Sequence, residues 1–176
     1  MREILEEALY LQQHWCPTNT PETERRGFVV RHSLPHWLRT FGGTLAEEAG
    51  VPRRQLKITG TDGQNHRAEL PRVLLATGHD WYAAYLFSAR GDRAYLALCH
   101  PAPPAVPEAH PLLATRPWQT TADLSPYRSR LGRTYEATVA LALEYHRGSV
   151  PETDTLAADA VLTAALLRIL NCGVGG

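Results

Sequence analysis

The segments "WYAAYLFSA" and "AYLALCH", separated by "RGDR", constrain this chain more than any other feature. In the first, Trp81, Ala83, Tyr85 and Phe87 alternate with their neighbours. In the second, Ala94, Leu96 and Leu98 do the same. Side chains along a strand point alternately to opposite faces, so each set lines one face. The stretch "ARGDR" between them is a short glycine-containing turn. Trp81–His100 therefore reads as a β-hairpin. An isolated hairpin is marginal in water, so the rest of the chain must extend and cover it.

Further strands are expected in "LKITG" and in the apolar run "ELPRVLLAT". The segment "TYEATVALALEYHRG" is ambiguous, because its alanines favour a helix. The alternation of Val139, Leu141, Leu143 and Tyr145 favours a strand, and a strand is predicted there. Helical spacing appears at both ends of the chain. Ile4, Ala8, Leu11 and Trp15 predict a helix over Arg2–Trp15. "CPTNTPETERRG" follows as a loop. Ser33 is read as the cap of a helix running to about Ala49, with Pro35 in its first turn and a weak point at Gly42–Gly43. "ADLSPYRSRLG" is given a short helix, and the proline-dense "HPAPPAVPEAHP" an extended loop. The clearest helix is "TDTLAADAVLTAALLRIL", with Leu156, Val161, Leu162, Ala165, Leu166 and Ile169 as its apolar stripe. Helices, then strands, then a helix predict an α+β fold: a curved, mostly antiparallel sheet flanked by N-terminal helices and a C-terminal helix. One domain is expected over 1–176, with a helical front (1–50), a sheet region (55–146) and the C-terminal helix (153–171).

Cys16, Cys99 and Cys172 form no CxxC pair, so free thiols in a reducing compartment are expected. No apolar run approaches the ~20 residues of a membrane span, and the charged N-terminus lacks the pattern of a signal peptide. A soluble, cytoplasmic protein is the expectation. Lys57 is the sole lysine, and the excess of arginine, alanine and leucine resembles the codon bias of a GC-rich bacterial genome. Formal net charge is zero, so bulk charge draws no nucleic acid; a basic patch on one face remains open.

No phosphate-binding GxxxxGK[ST], dinucleotide GxGxxG or nucleophile GxSxG motif is present. The histidines and cysteines show no zinc spacing, and no metal or cofactor is expected. A divergent Mg²⁺ nuclease remains an alternative. In "QLK", Gln55 and Lys57 would share one strand face, with Glu47 and Glu48 upstream. The acids, however, fall at a helix end instead of on the preceding strand.

The stretch "GTDGQNHRAELPRV" raises the sharpest question. Gly60 and Gly63 permit tight turning and close approach to a ligand. Gln64 and Asn65 carry paired donors and acceptors suited to a base edge. His66 and Arg67 suit phosphate contact or stacking on a base. A polar turn that satisfies its own backbone has the same composition, and both readings stand on residues alone.

"GTDGQNHRAELPRVLLAT" followed by "WYAAYLFSARGDRAYLALCHP" resembles the McrB-like N-terminal family of bacterial restriction systems. Gly60, Gly63, Gln64, Ala68, Pro71, Tyr85, Leu86, Phe87, Tyr95, Leu96 and Leu98 match its glycine-rich segment and two strands in order and spacing. The chain departs from it at Arg67 and Arg72, where the family often carries tryptophan, and at Cys99–His100, where it carries Asn-Gln.

The resemblance implies a module without catalytic residues that reads modified duplex DNA, 5-methylcytosine first, with base flipping. A nuclease or GTPase partner would act in trans. It implies a reading loop of Gly60, Gly63, Gln64, Asn65, His66 and Arg67. Phosphate contacts are expected from Arg53, Arg54, Lys57 and Arg72. A flipped base needs an aromatic or apolar slot, and the candidates are Trp81, Tyr82, His100, Trp118 and Tyr127. The other reading is an adaptor that binds a restriction partner and never touches DNA.

Overall fold

A computed structural model of the chain describes residues 1–63, 68–104, 106 and 111–173. Five strands run in sequence order across one sheet: β1 (Lys57–Thr61), β2 (Arg72–Ala76), β3 (Tyr82–Phe87), β4 (Arg93–Cys99) and β5 (Val139–His146). Every neighbouring pair is antiparallel. The central hairpin pairs Tyr85 with Leu96 and Phe87 with Ala94. Its turn closes when Ser88 N–H donates to the Arg93 carbonyl.

The alternation read from the sequence sets the two faces. Trp81, Ala83, Tyr85, Phe87, Ala94, Leu96, Leu98, Leu141, Leu143 and Tyr145 all enter one core. That core is closed by α1 (Arg2–Gln13), α3 (Leu34–Thr40), α4 (Gly42–Glu48) and α6 (Thr153–Gly173). It draws on residues from Leu5 to Leu167, so the helical front, sheet and last helix share it. The opposite face is covered only in part. Tyr95, Ala97, Cys99 and Ala142 meet Ala122 and Leu124 there, with Tyr127 and Tyr135 packed against them.

Four local readings change. "CPTNTPETERRG" is not all loop, because α2 spans Pro21–Phe28. Thr20 accepts the Thr23 N–H, Pro21 needs no donor, and acids then bases follow the helix dipole. Ser33 is not a cap. Its backbone is helical, and a π-helical turn at Val29–Ser33 joins α2 to α3. The segment predicted as one strand after Gly132 splits at Thr138 into α5 (Arg130–Thr138) and β5. Finally, α6 buries Leu156, Asp159, Ala160, Thr163, Ala164, Leu166 and Leu167, a face rotated from the expected stripe. Asp159 can face inward because Arg116 and the Tyr145 hydroxyl bond its carboxylate, at 2.6 and 3.0 Å.

By length and composition Thr153–Cys172 is apolar enough to span a membrane, contrary to the sequence reading. Its inward residues are core of this fold.

Candidate functional site

The stretch from Gly60 to Arg72 leaves β1 and returns on β2, with Thr61 opposite Arg72. Gln64, Asn65, His66 and Arg67, the tip of the expected reading loop, lie outside the described residues. The residues on either side of them are tightly built. Ala68 N–H donates to the Asp62 carbonyl at 3.0 Å, closing the loop at its base. Gly63 holds a positive φ of 71°, a conformation that favours glycine. Gly60 does not serve the turn as expected. It lies within β1, where a side chain would collide with the Val30 carbonyl of the π-helical turn. The edge of β1 is blunted on that side, since Arg39 Nη2 also donates to the Ile58 carbonyl at 2.5 Å.

Sequence reasoning missed the residue that binds both ends of this loop. Arg26, on the inner face of α2, has a side chain with no solvent exposure. Its Nη2 donates to Asp62 Oδ1 and to the Ala68 carbonyl, each at 2.6 Å. Its Nη1 donates to Gln12 Oε1 at 2.7 Å, and Gln12 Nε2 donates to the Glu69 carbonyl at 2.8 Å. The Trp15 ring lies 6.0 Å from the guanidinium. Thus α1 and α2 reach across the sheet edge and staple residues 62, 68 and 69. Burial raises the Asp62 carboxyl to about 6, against the pull of Arg26. Burial likewise lowers Arg26, against Asp62. Nothing in "TERRG" marks Arg26 over Arg25, which pairs in solvent with Glu7 at 2.6 Å.

A second loop is tied to the first. Glu69 Oε2 accepts the backbone N–H groups of Arg128 and Ser129, at 2.9 and 2.8 Å. The two loops bound a cleft of about 530 Å³ lined by Trp15, Cys16, Pro17, Glu69, Ala89, Pro126, Tyr127 and Arg128. The Trp15 indole N–H is buried without a hydrogen-bond partner. Thr18 hydrogen bonds lower the Cys16 thiol. Tyr127 lies flat on Gly132, where a side chain would enter its ring, and its hydroxyl donates to Glu136 Oε2 at 2.6 Å.

The expected aromatic slot does not assemble as one site. Trp81 is 2% exposed and packs in the helix-side core, its ring 5.0 Å from His100. His100 Nδ1 is engaged by the Ala102 backbone. Trp118 packs against the same core, whereas Tyr82 and Tyr127 lie on the other face. Tyr82 donates weakly to Thr138 Oγ1 at 3.4 Å. Only Tyr127 borders the cleft beside the stapled loop. Trp81 starts a strand, but its place in the alternation aligns it with Tyr85 and Phe87 in the core.

The expected phosphate contacts separate by position. Lys57 and Arg72 share the outer face of the β1–β2 ladder, at opposite ends. Four residue steps put their backbones about 13 Å apart along the strands. The Arg72 guanidinium stacks 4.5 Å above the Tyr135 ring. Arg53 and Arg54 are exposed before β1, and Arg53 lies over Gly42. Gln55 falls in a turn outside β1, so the strand pairing of Gln55 with Lys57 is not formed. Among the described residues, no three His, Cys, Asp or Glu side chains gather as metal ligands.

No protein-family model, curated protein or solved structure matches this chain.

Proposed function

We infer that this protein is a cytoplasmic DNA-binding module that reads modified duplex DNA, with the loop around Gln64–Arg67 as its reading element. The observation that carries the reading is the buried staple of Arg26 across Asp62 and Ala68. An ordinary polar turn satisfies itself and needs no charge buried beneath it. Burying an ion pair costs several kcal/mol of desolvation per ion, by order of magnitude, and often gives no net stability. Such a cost suits a loop whose stems must be held in one geometry for recognition. The ordered match of Gly60, Gly63 and Gln64 to a DNA-reading family points the same way.

The neighbouring cleft suits a flipped base. Its volume lies within the usual range of small-ligand sites, about 300–1,000 Å³. Trp15 and Tyr127 offer aromatic walls, and Glu69 offers an acceptor for a cytosine amino group. Sequence and groove contacts would come from the loop, and position from Arg72 and Lys57.

Gel shifts with matched duplexes carrying cytosine, 5-methylcytosine, 5-hydroxymethylcytosine, N6-methyladenine or a phosphorothioate test this. We expect 5-methylcytosine to bind about 10- to 100-fold tighter than cytosine, the scale of one well-read base. Arg67→Ala should then narrow that ratio instead of weakening both duplexes alike. Failure to bind any duplex at low salt would refute the reading and leave a protein partner as the target.

A further inference from the structure

We propose that Arg128, Arg130 and Arg133 form a sequence-blind phosphate rail beside the stapled loop, extended by Arg72, that grips the backbone of the same duplex. The proposal rests on the DNA-binding reading and adds residues to it. The stretch "PYRSRLGRTY" carries three arginines and no acid, in a chain of zero net charge. All three are exposed, and none has a carboxylate partner among the described residues. Arg2 pairs with Glu152, Arg25 with Glu7, Arg116 with Asp159 and Arg93 with three acids, whereas Arg53, Arg54, Arg90 and Arg168 also lack a carboxylate ion pair among the described residues; what sets Arg128, Arg130 and Arg133 apart is their clustering within six residues.

Their position also runs against local stability. Ser129 caps α5, so Arg130 opens the helix and Arg133 falls at the end of its first turn. The N-terminal end of a helix carries partial positive charge, and cations there are disfavoured by tenths of a kcal/mol. Two arginines on that turn act against the helix and in favour of an anion. The segment that leads into this turn is meanwhile fixed to the Gly60–Arg72 loop. Glu69 holds the N–H groups of Arg128 and Ser129, and the carbonyl of the same residue is held by Gln12. Arg72 joins this outer face through Tyr135 of α5. Exposed cations that run from Arg128 at the edge of the cleft into the first turn of α5 match a row of phosphates, and contacts of that kind carry no sequence information.

The test is the salt dependence of duplex binding. Wild type and the triple variant Arg128→Gln, Arg130→Gln, Arg133→Gln are titrated against plain and 5-methylcytosine duplexes from 50 to 200 mM salt, by fluorescence anisotropy, at about the concentrations that separate phosphate contributions. Glutamine leaves the backbone bonds to Glu69 in place, and matching urea midpoints check the fold. Three lost phosphate contacts should flatten the log–log slope by about 2.7. The preference for the modified duplex should persist, and the triple lysine variant should restore the slope. An unchanged slope with duplex binding intact overturns the rail, assigns the arginines to an acidic partner and leaves the reading untouched. A flattened slope in a protein that never distinguishes the two duplexes supports the rail and removes the reader. A wild type that binds neither duplex overturns both.

Discussion

Arg26 and Arg93 each gather a loop onto the sheet, one in a dry setting and one in a wet setting. Arg26 and Asp62 have no side-chain exposure at all. Arg93 keeps 20% of its side chain exposed and shares it among Asp92, Asp123 and Glu144, at 3.0 to 3.5 Å. Around it, the Tyr95 hydroxyl donates to Glu144 and accepts from Asp123 N–H. Ser125 also bonds Asp123, and Ser88 bonds Asp92. The chemistry is the same, but the accounting differs. In the dry pair Arg26 is the cation bonded to the Asp62 carboxylate, and no water reaches either charge. In the wet network water and several donors share every charge, so no single contact decides the outcome.

The largest effect should come from breaking the dry pair. Arg26→Met leaves the Asp62 carboxylate buried and frees Gln12 Oε1 and the Ala68 carbonyl. The expected loss is about 3–5 kcal/mol in urea unfolding. The double variant Arg26→Met, Asp62→Leu removes both charges and should recover most of that loss, since apolar replacement of a buried pair is often neutral. A recovered fold with lost DNA discrimination would separate holding the loop from stabilising the protein. A double variant no better than the single would mean that the pair itself supplies net stability.

Acidity should divide the two regions by sign. Asp62 is raised from 3.8 to about 6, chiefly by burial. Below 3.8 both folded and unfolded Asp62 hold a proton, and its contribution to stability is full. As pH rises through 6 that contribution is lost, because only the folded state still prefers the proton. The shift corresponds to something on the order of 2–3 kcal/mol. In the wet network Asp123 is lowered, first by the Ser125 hydroxyl. Asp92 and Glu144 are also lowered; burial opposes this, but hydrogen bonds from Ser88, and from Gln119 and Tyr95, outweigh it. Their stabilisation is present above their ordinary values of 3.8 and 4.5 and is lost as pH falls through the lowered values. Urea midpoints from pH 3 to 7.5 read both. Asp62→Asn should remove a decline between pH 4 and 6.5, whatever its effect on absolute stability. A variant with the wild-type slope in that window would mean that Asp62 titrates as an ordinary aspartate.

The same contrast explains what the sequence disclosed. The sheet was legible because alternation is a local signal. Tyr85 and Leu96 announce their face within seven residues, and the hairpin needs only Gly91 between them. The turn of α2 was hidden by prolines and threonines that usually mark loops, although Thr20 and Pro21 are a helix start when read together. The helix in "RLGRTYEAT" was lost to the strong strand pattern that follows it. For the site, the glycine loop could be found, but not its support. Arg26 and Asp62 are 36 residues apart, and neither residue type signals burial. Trp81 lies in the helix-side core and Trp118 packs partly buried against it, because aromatic residues serve cores more often than slots. Trp15, assigned only to a helix stripe, stands just past the end of α1 and faces the cleft instead.

The smallest expected effect lies in the wet network. Arg93→Gln removes one charge from a cluster that keeps Tyr95, Gln119, Ser88 and Ser125 as donors to the same carboxylates. Exposed pairs are typically worth about 0–1 kcal/mol each, so about 1–2 kcal/mol is expected for the set after solvent screening. Salt gives the sharper reading. Wild type should lose part of this contribution as ionic strength rises from 0.01 to 1 M, as the screening length falls from about 30 to 3 Å. The Arg93→Gln variant should lose less, so the two urea midpoints should converge in high salt. The gap between wild type and Arg26→Met should stay open, because no counterion reaches a pair without exposed surface. If both gaps close together, the two arginines are solvated alike, and the distinction between a dry staple and a wet clamp fails for this protein.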